Sequence, residues 1–195
     1  MQINTNNNLQ FKSKIRPINY LEYREIIGRM GEKVEAKPPW TLAESVKDKN
    51  AFSTNIIDCT LCGLTNGQDV LMLHICPSIE KNKNFSKIED FILKNFNVAS
   101  YDTRGFLVGS QKNNMYSQFS DTLFQNFVNF MEKFEIPFSQ FRGTKKVPAH
   151  VAYSSTRDEW LLSNPIVNPY RCDLESLKTS FDDIKIDKGD ELILD

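Results

Sequence analysis

The stretch Asp58–Pro77, DCTLCGLTNGQDVLMLHICP, holds three of the chain's four cysteines and one of its two histidines. A thiol beside an imidazole can do acyl-transfer chemistry: the imidazole takes the thiol proton and later returns it to the leaving group. The same residues can also be read as ligands. Cys59-Thr60-Leu61-Cys62-Gly63 has the C-x-x-C-G form of a zinc knuckle, and His74 and Cys76 would complete four donors. The third possibility is a buried strand pair in which the thiols and the ring only pack.

Spacing favours the first reading. Apolar and β-branched runs flank Thr65-Asn66-Gly67-Gln68, and Asn-Gly between such runs is a hairpin signal. With Asn66 and Gly67 as the two loop residues of a type I′ turn, Thr65 faces Gln68, Gly63 faces Val70, and Cys59 faces His74. Directly opposed residues have Cβ atoms ~4.5–5.5 Å apart on one face of the sheet, close enough for a sulfur and a ring nitrogen to meet. In that register Cys62 points to the other face, while Cys76 shares the face of Cys59 and is opposed by Ile57. A slip of one residue would send Cys59 and His74 to opposite faces. The knuckle lacks a second C-x-x-C or H-x-x-C and needs a turn where the residues read as strand. Just upstream, Ser53-Thr54-Asn55 is a run of small hydrogen-bonding side chains able to orient an imidazole.

These residues need a scaffold. Asn19 precedes a helical stripe of Leu21, Ile26, Ile27 and Met30, with Glu22 in capping-box position and Gly31 at the close. Lys33–Asn50 is expected to be a loop with a short helix near Leu42–Val46. A second helix starts at the capping box Ser86-Lys87-Ile88-Glu89 and carries Ile88, Phe91, Ile92 and Phe96. Arg104–Ser110 reads as a buried strand. Ser120-Asp121 opens the clearest helix, whose stripe is Leu123, Phe124, Phe127, Val128, Met131 and Phe134. Val147–Ser154 and Glu159–Leu162 are expected to be strands joined at Ser155–Asp158. Asp173–Ser180 reads as a short helix, and Ile184–Ile186 with Glu191–Leu194 as a last hairpin. His150, Trp40 and Trp160 are packing residues in this reading, and Cys172 is an incidental thiol. The order of elements predicts an α+β fold: a central, mostly antiparallel, sandwich-like β-sheet with flanking helices. Residues 1–14 are expected to be a flexible segment and 15–195 a single domain.

Composition bounds the function. The chain has 195 residues, 40% apolar and 25% charged, with a formal net charge of −1. That is ordinary for a globular domain. It carries no basic footprint for nucleic acid or a membrane surface, and no apolar run of the ~18 residues that a membrane span needs. MQINTNNNLQFKSK has no apolar core segment, so no secretory signal peptide is expected. The clustered thiols do not form a disulfide framework and are expected to be reduced, as in a cytosol.

With "DCTLCGL" as a cysteine strand, "VLMLHICP" as a histidine strand and "RGFLVGS" as the next strand between two helices, the chain resembles the CheD chemoreceptor glutamine deamidases and the catalytic domains of the cytotoxic-necrotizing-factor toxins. The resemblance covers roughly Ser53 to Phe134. It implies that Cys59 is the nucleophile and His74 the base. A Thr or a main-chain carbonyl orients the His in those proteins. Ser53, six residues before the cysteine, stands where they place the Thr, and Thr54 is an equal candidate by position. The family's cysteine commonly follows a Ser-Gly or Gly-Ser pair; here it follows Ile57-Asp58. The implied activity is deamidation of a glutamine on a target protein through a thioester, with no cofactor or metal. The partner is then a protein substrate and neither nucleic acid nor membrane. The implied setting is a cytoplasm, or a host cell reached without a classical signal peptide, as for a bacterial effector or toxin. Alternatives are a non-catalytic interaction module of the same fold and the zinc-binding Cys/His module.

Overall fold

A computed structural model describes residues 14–36, 42–43, 50–77, 85–109, 117–142, 148–163 and 184–186. They form an α+β fold, as expected, but the single central sheet becomes two. One sheet has the order β1 (Lys14–Ile18), β10 (Glu159–Ser163), β9 (Ala149–Ser154), β4 (Asn50–Ile56), β2 (Lys33–Glu35). The other has the order β11 (Ile184–Ile186), β8 (Phe138–Arg142), β7 (Arg104–Gly109), β5 (Thr60–Thr65), β6 (Val70–Ile75), β3 (Leu42–Ala43). Both are mixed: β1 runs parallel to β10, β2 to β4 and β7 to β8, and the other pairs are antiparallel.

The layers follow from strand alternation. Leu61, Val70, Met72, Phe106, Val108 and Phe141 of the second sheet meet Ile15, Ala51, Val151, Tyr153, Trp160 and Leu162 of the first, making a core between the sheets. On the outer face of the second sheet, Cys62, Leu64, Leu71, Leu73 and Leu107 pack under α2 (Phe85–Asn95) and α3 (Ser117–Lys133). On the outer face of the first, Ala152 and Leu161 pack under α1 (Tyr20–Arg29). The stack is therefore helix, sheet, sheet, helices. No described helix is long and apolar enough to cross a membrane.

The helices lie where their stripes predicted. Asn19 caps α1, its side chain accepting from the Glu22 N–H at 2.9 Å. The α1 stripe is rotated from the expectation: Tyr23 is buried, whereas Leu21 is 48% exposed. In α3, Leu123, Phe124, Phe127, Val128 and Met131 are all buried. The expected helix near Leu42–Val46 is not present at its start: Leu42 and Ala43 pair with Leu73 and Met72 as an edge strand. Ile184–Ile186 is a strand as expected, but its partner is β8, a pairing across the fold that local turn signals do not encode. Trp40, Cys172, Asp173–Ser180 and Glu191–Leu194 lie outside the described residues.

Gly63 shows how tightly the two sheets meet. A Cβ built on it would lie 2.3 Å from the Trp160 ring. Trp160 is fully buried, so neither group has room to withdraw. Gly63→Ala is expected to cost ~1–3 kcal/mol by overpacking, read as a lower urea midpoint. An unchanged midpoint would mean that the sheets are not apposed at this point.

Candidate active site

The hairpin is real, but its turn is longer than expected. Thr65 pairs with Val70, Gly63 with Met72, Leu61 with His74 and Thr60 with Ile75. The loop is therefore the four residues Asn66–Asp69. Gly67 takes a φ of +86°, whereas Asn66 is not among the positive-φ residues. The Asn66 side chain instead accepts from the N–H groups of Gln68 (3.0 Å) and Asp69 (2.7 Å), and the Asn66 backbone N–H donates to the Asp69 carbonyl at 3.2 Å. Asn66 satisfies the turn through its side chain rather than by adopting left-handed backbone, and this admits two more loop residues. Cys59 is consequently not opposite His74.

Continuing the observed register one step past Thr60 sets Cys59 against Cys76, and the two sulfurs are 3.4 Å apart. The slip is two residues, so the face is kept. His74 lies on the same side as Cys59 but one diagonal step away, where neighbours have Cα atoms ~7–8 Å apart and Cβ atoms somewhat nearer. No hydrogen bond joins Cys59 to the ring among the described residues. Cys62 lies on the opposite face, buried in the helix-side core as expected. The four donors of the knuckle thus do not share a face, and no group of three or more His, Cys, Asp or Glu able to hold a metal occurs among the described residues.

His74 is held from the other sheet. Ser53 Oγ lies 2.8 Å from His74 Nδ1 and 2.6 Å from the Ala36 carbonyl oxygen. The hydroxyl has one proton, and the carbonyl can only accept. Ser53 therefore donates to Ala36 and accepts from Nδ1–H. That fixes the tautomer of the neutral ring and leaves the Nε2 lone pair free. Nε2 is buried and has no hydrogen-bond partner among the described residues. Burial pushes the His74 pKa down to about 4, with the Ala36 carbonyl pulling weakly the other way, so the ring is neutral at pH 7. Of the two positional candidates, Ser53 is the one that reaches the ring. It is fully buried, whereas Thr54 is only half-buried.

Backbone irregularity aims Ser53. The pairing of β4 with β9 shifts by one residue between Ser53 and Ile56, a bulge in which Asn55 takes a φ of 58°. The bulge lets Ser53 and Ile56 both face the core between the sheets, which strict alternation would forbid. The Tyr23 hydroxyl reaches the carbonyls of Ser53 (3.0 Å) and Val151 (3.3 Å) from beneath, so α1 secures the strand at this point. The Asn55 N–H points at His150 Nδ1 (3.4 Å), whose ring lies against Tyr20 and Tyr23. His150 is a packing residue, as expected.

Cys59 sits in the bend of residues 57–59, where the chain leaves the first sheet at Ile56 and enters the second at Thr60. Ser120, fully buried near the start of α3, donates from its hydroxyl to the Asp58 carbonyl at 2.8 Å and ties down this crossing. The Cys59 thiol is pushed up, first by its contact with Cys76, then by burial and by nearby Asp58. The same contact lowers Cys76 to about 7, against burial. Cys76, Ala36 and Ser120 escaped the sequence reading. Centring the turn on Gly67-Gln68 instead of Asn66-Gly67 would have paired Cys76 with Cys59; the contacts of Ala36 and Ser120 have no local signature.

Elsewhere, a charged groove of about 490 Å³ lies between α1 and the β9–β10 turn. Its arginines are already engaged: Arg16 with Glu22, Arg29 with Glu25 and Arg157 with Glu159. It shares no residue with the Ser53–His74–Cys59 cluster.

Ser53→Ala is expected to lower any turnover that depends on His74 by ~10–100-fold, because the ring loses its orienting acceptor and a misplacement of 1 Å can cost ~10²-fold. Ser53→Thr keeps the hydroxyl and should retain most of the rate. Equal losses in the two variants would show that Ser53 acts only by packing.

No protein-family model matches the chain, and no curated protein matches its sequence.

Proposed function

We propose that the chain is a cysteine hydrolase that deamidates a glutamine side chain on a target protein, with Cys59 as nucleophile, His74 as base and Ser53 as the residue that orients the base. The observation that carries this reading is the Ser53–His74 contact of 2.8 Å with Nε2 left buried and unpartnered on the sheet face that Cys59 shares. A buried polar atom without a partner is costly, and of the seven such side-chain atoms among the described residues His74 Nε2 is the one that can take up a proton as a base. A base awaiting a proton accounts for it.

The neutral ring argues against a preformed thiolate–imidazolium pair. His74 Nε2 instead takes the proton from the thiol as the sulfur attacks the carboxamide carbon. For this the Cys59 side chain turns from Cys76 toward the ring, one diagonal step away. Backbone N–H groups of the crossing supply the donors for the oxyanion. His74 then protonates the departing ammonia, and the resulting neutral ring activates the water that hydrolyses the thioester. An amine arriving before water would give transglutamination from the same intermediate. The substrate is a folded protein in this reading, recognised by polar residues of Lys33–Asn50 and Lys112–Gln118. The site of action is a cytoplasm, its own or that of a host cell.

The test is mass spectrometry of candidate proteins incubated with the chain. A gain of about one mass unit at a single glutamine is expected, because the thioester route replaces NH₂ by OH. Modification that continues undiminished with Cys59→Ser would overturn the assignment.

A further inference from the structure

The deamidase reading uses Cys59 and leaves Cys76 unexplained. We propose that Cys59 and Cys76 form a two-thiol oxidation site that a hydroperoxide converts to an intramolecular disulfide, masking the nucleophile. Only the last clause rests on the deamidase reading; the oxidation site stands on its own geometry.

The sulfurs are 3.4 Å apart. A disulfide bond is ~2.05 Å long, so closure needs a movement of about 1.4 Å. The backbone is placed to allow it. Cys59 lies in the bend before β5 and Cys76 lies one residue beyond β6, so neither belongs to the hydrogen-bonded ladder. Cross-strand neighbours have Cβ atoms ~4.5–5.5 Å apart, against ~3.5–4.5 Å in a disulfide, a gap that small shifts at a ladder end can close. Access distinguishes the pair from the third described thiol: Cys59 and Cys76 are half-buried, whereas Cys62 is fully buried on the other face. Charge favours Cys76 as the first sulfur to react. The contact with Cys59 lowers the Cys76 thiol to about 7, and the thiolate is the reactive form.

The chemistry balances with the hydroperoxide as oxidant. The Cys76 thiolate attacks the O–O bond, taking one oxygen as S–OH, and the other oxygen leaves with a proton as water or an alcohol. The Cys59 sulfur then attacks the Cys76 sulfur. Its proton and the OH group depart as water, and the S–S bond remains. Two thiols lose two hydrogens, and one hydroperoxide is reduced. Thiol exchange with a small dithiol reverses the change. While the bond stands, His74 Nε2 has no thiol to serve.

The experiment is titration of the full, reduced chain with hydrogen peroxide at pH 7, followed by alkylation and peptide mass analysis without reduction. The expected result is a single species lighter by about two mass units, with Cys59 joined to Cys76 and Cys62 still a thiol. Cys76→Ser should slow the loss of alkylatable Cys59 about tenfold, since an ordinary thiol near pKa 8.5 is only a few per cent thiolate at pH 7. Oxygen adducts on either sulfur without a cross-link would overturn the proposal, as would Cys59 joined to a different sulfur or an unchanged Cys59 rate in Cys76→Ser. The activity arm separates the two readings. If the cross-link forms and deamidation is lost in step and regained with dithiothreitol, both stand. If it forms and no protein glutamine is ever converted, the oxidation site stands and the deamidase reading falls. If deamidation proceeds and peroxide yields no cross-link, only the oxidation site falls.

Discussion

Conversion of the target glutamine disappears in Cys59→Ser and falls by ~10²–10⁴-fold in His74→Gln, the range for losing a positioned general base. The two losses have different causes. A serine hydroxyl is a far weaker nucleophile, and a neutral imidazole with one free nitrogen is too weak a base to compensate. Glutamine in place of His74 can still pair with Ser53 Oγ, which the ring now contacts at 2.8 Å, so the inter-sheet contact is retained while the free basic nitrogen is lost. Cys59→Ser should unfold near the wild-type temperature, since Cys59 lies in a bend outside the strands, and His74→Gln should follow it if the contact with Ser53 is kept. The assay is the time course of the one-unit mass gain, read beside a thermal melt. Full activity in His74→Gln would remove the base from the mechanism. If His74→Gln melts far lower, Ser53→Ala and Ser53→Thr carry the same question from the other side of the contact.

Stability should fall as pH drops from about 6.5 toward 4. Burial lowers His74 and His150 each to about 4, whereas an unfolded histidine titrates near its ordinary 6.5. Between those values the unfolded chain binds more protons than the folded one, so unfolding is favoured as pH falls. The contribution is complete above ~6.5 and is gone below ~4, where both states are protonated. Each pKa unit is worth about 1.4 kcal/mol, so each ring contributes on the order of 3 kcal/mol at pH 7. Urea unfolding at pH 7, 6 and 5 measures the slope in a range that lies largely above carboxylate titration. His150→Phe, which keeps an aromatic ring against Tyr20 and Tyr23, should remove about half of the slope. A stability unchanged between pH 7 and 5 would mean that the rings take up protons in the folded chain, and with that the neutral, tautomer-fixed His74 would be lost.

Much of the chain was legible in one dimension. α1, α2, α3, β7, β9 and β10 each carry their own period and caps, and local patterns of that kind survive packing. The face of Cys62 was legible too, because alternation along a strand is a covalent property. Five strands were not read from the sequence: β1, β2, β4 and β8 had no such signature, and β3 was expected to be a helix. β1 and β2 run parallel to strands distant in sequence, and β8 is parallel to β7 across α3. Their pairing depends on the crossings between them and not on any adjacent turn. The division into two sheets belongs in the same class, because an apolar face does not say whether a helix or another sheet will cover it.

The candidate site divides along the same line. The residues themselves, Cys59, His74 and Ser53, were selected by type and spacing, and parity alone put Cys59 and His74 on one face. Which atoms meet was a tertiary decision. The Asn66 side chain took over the turn, lengthened the loop by two residues and moved Cys59 from His74 to Cys76. The bulge at Asn55 and the apposition of the sheets brought Ser53 to Nδ1, with the Ala36 carbonyl behind it. Sequence determines the alternation of side chains because it is built into the backbone of each strand; register, and the choice between neighbours two residues apart, is settled by hydrogen bonds and packing that exist only once the two sheets have closed on each other.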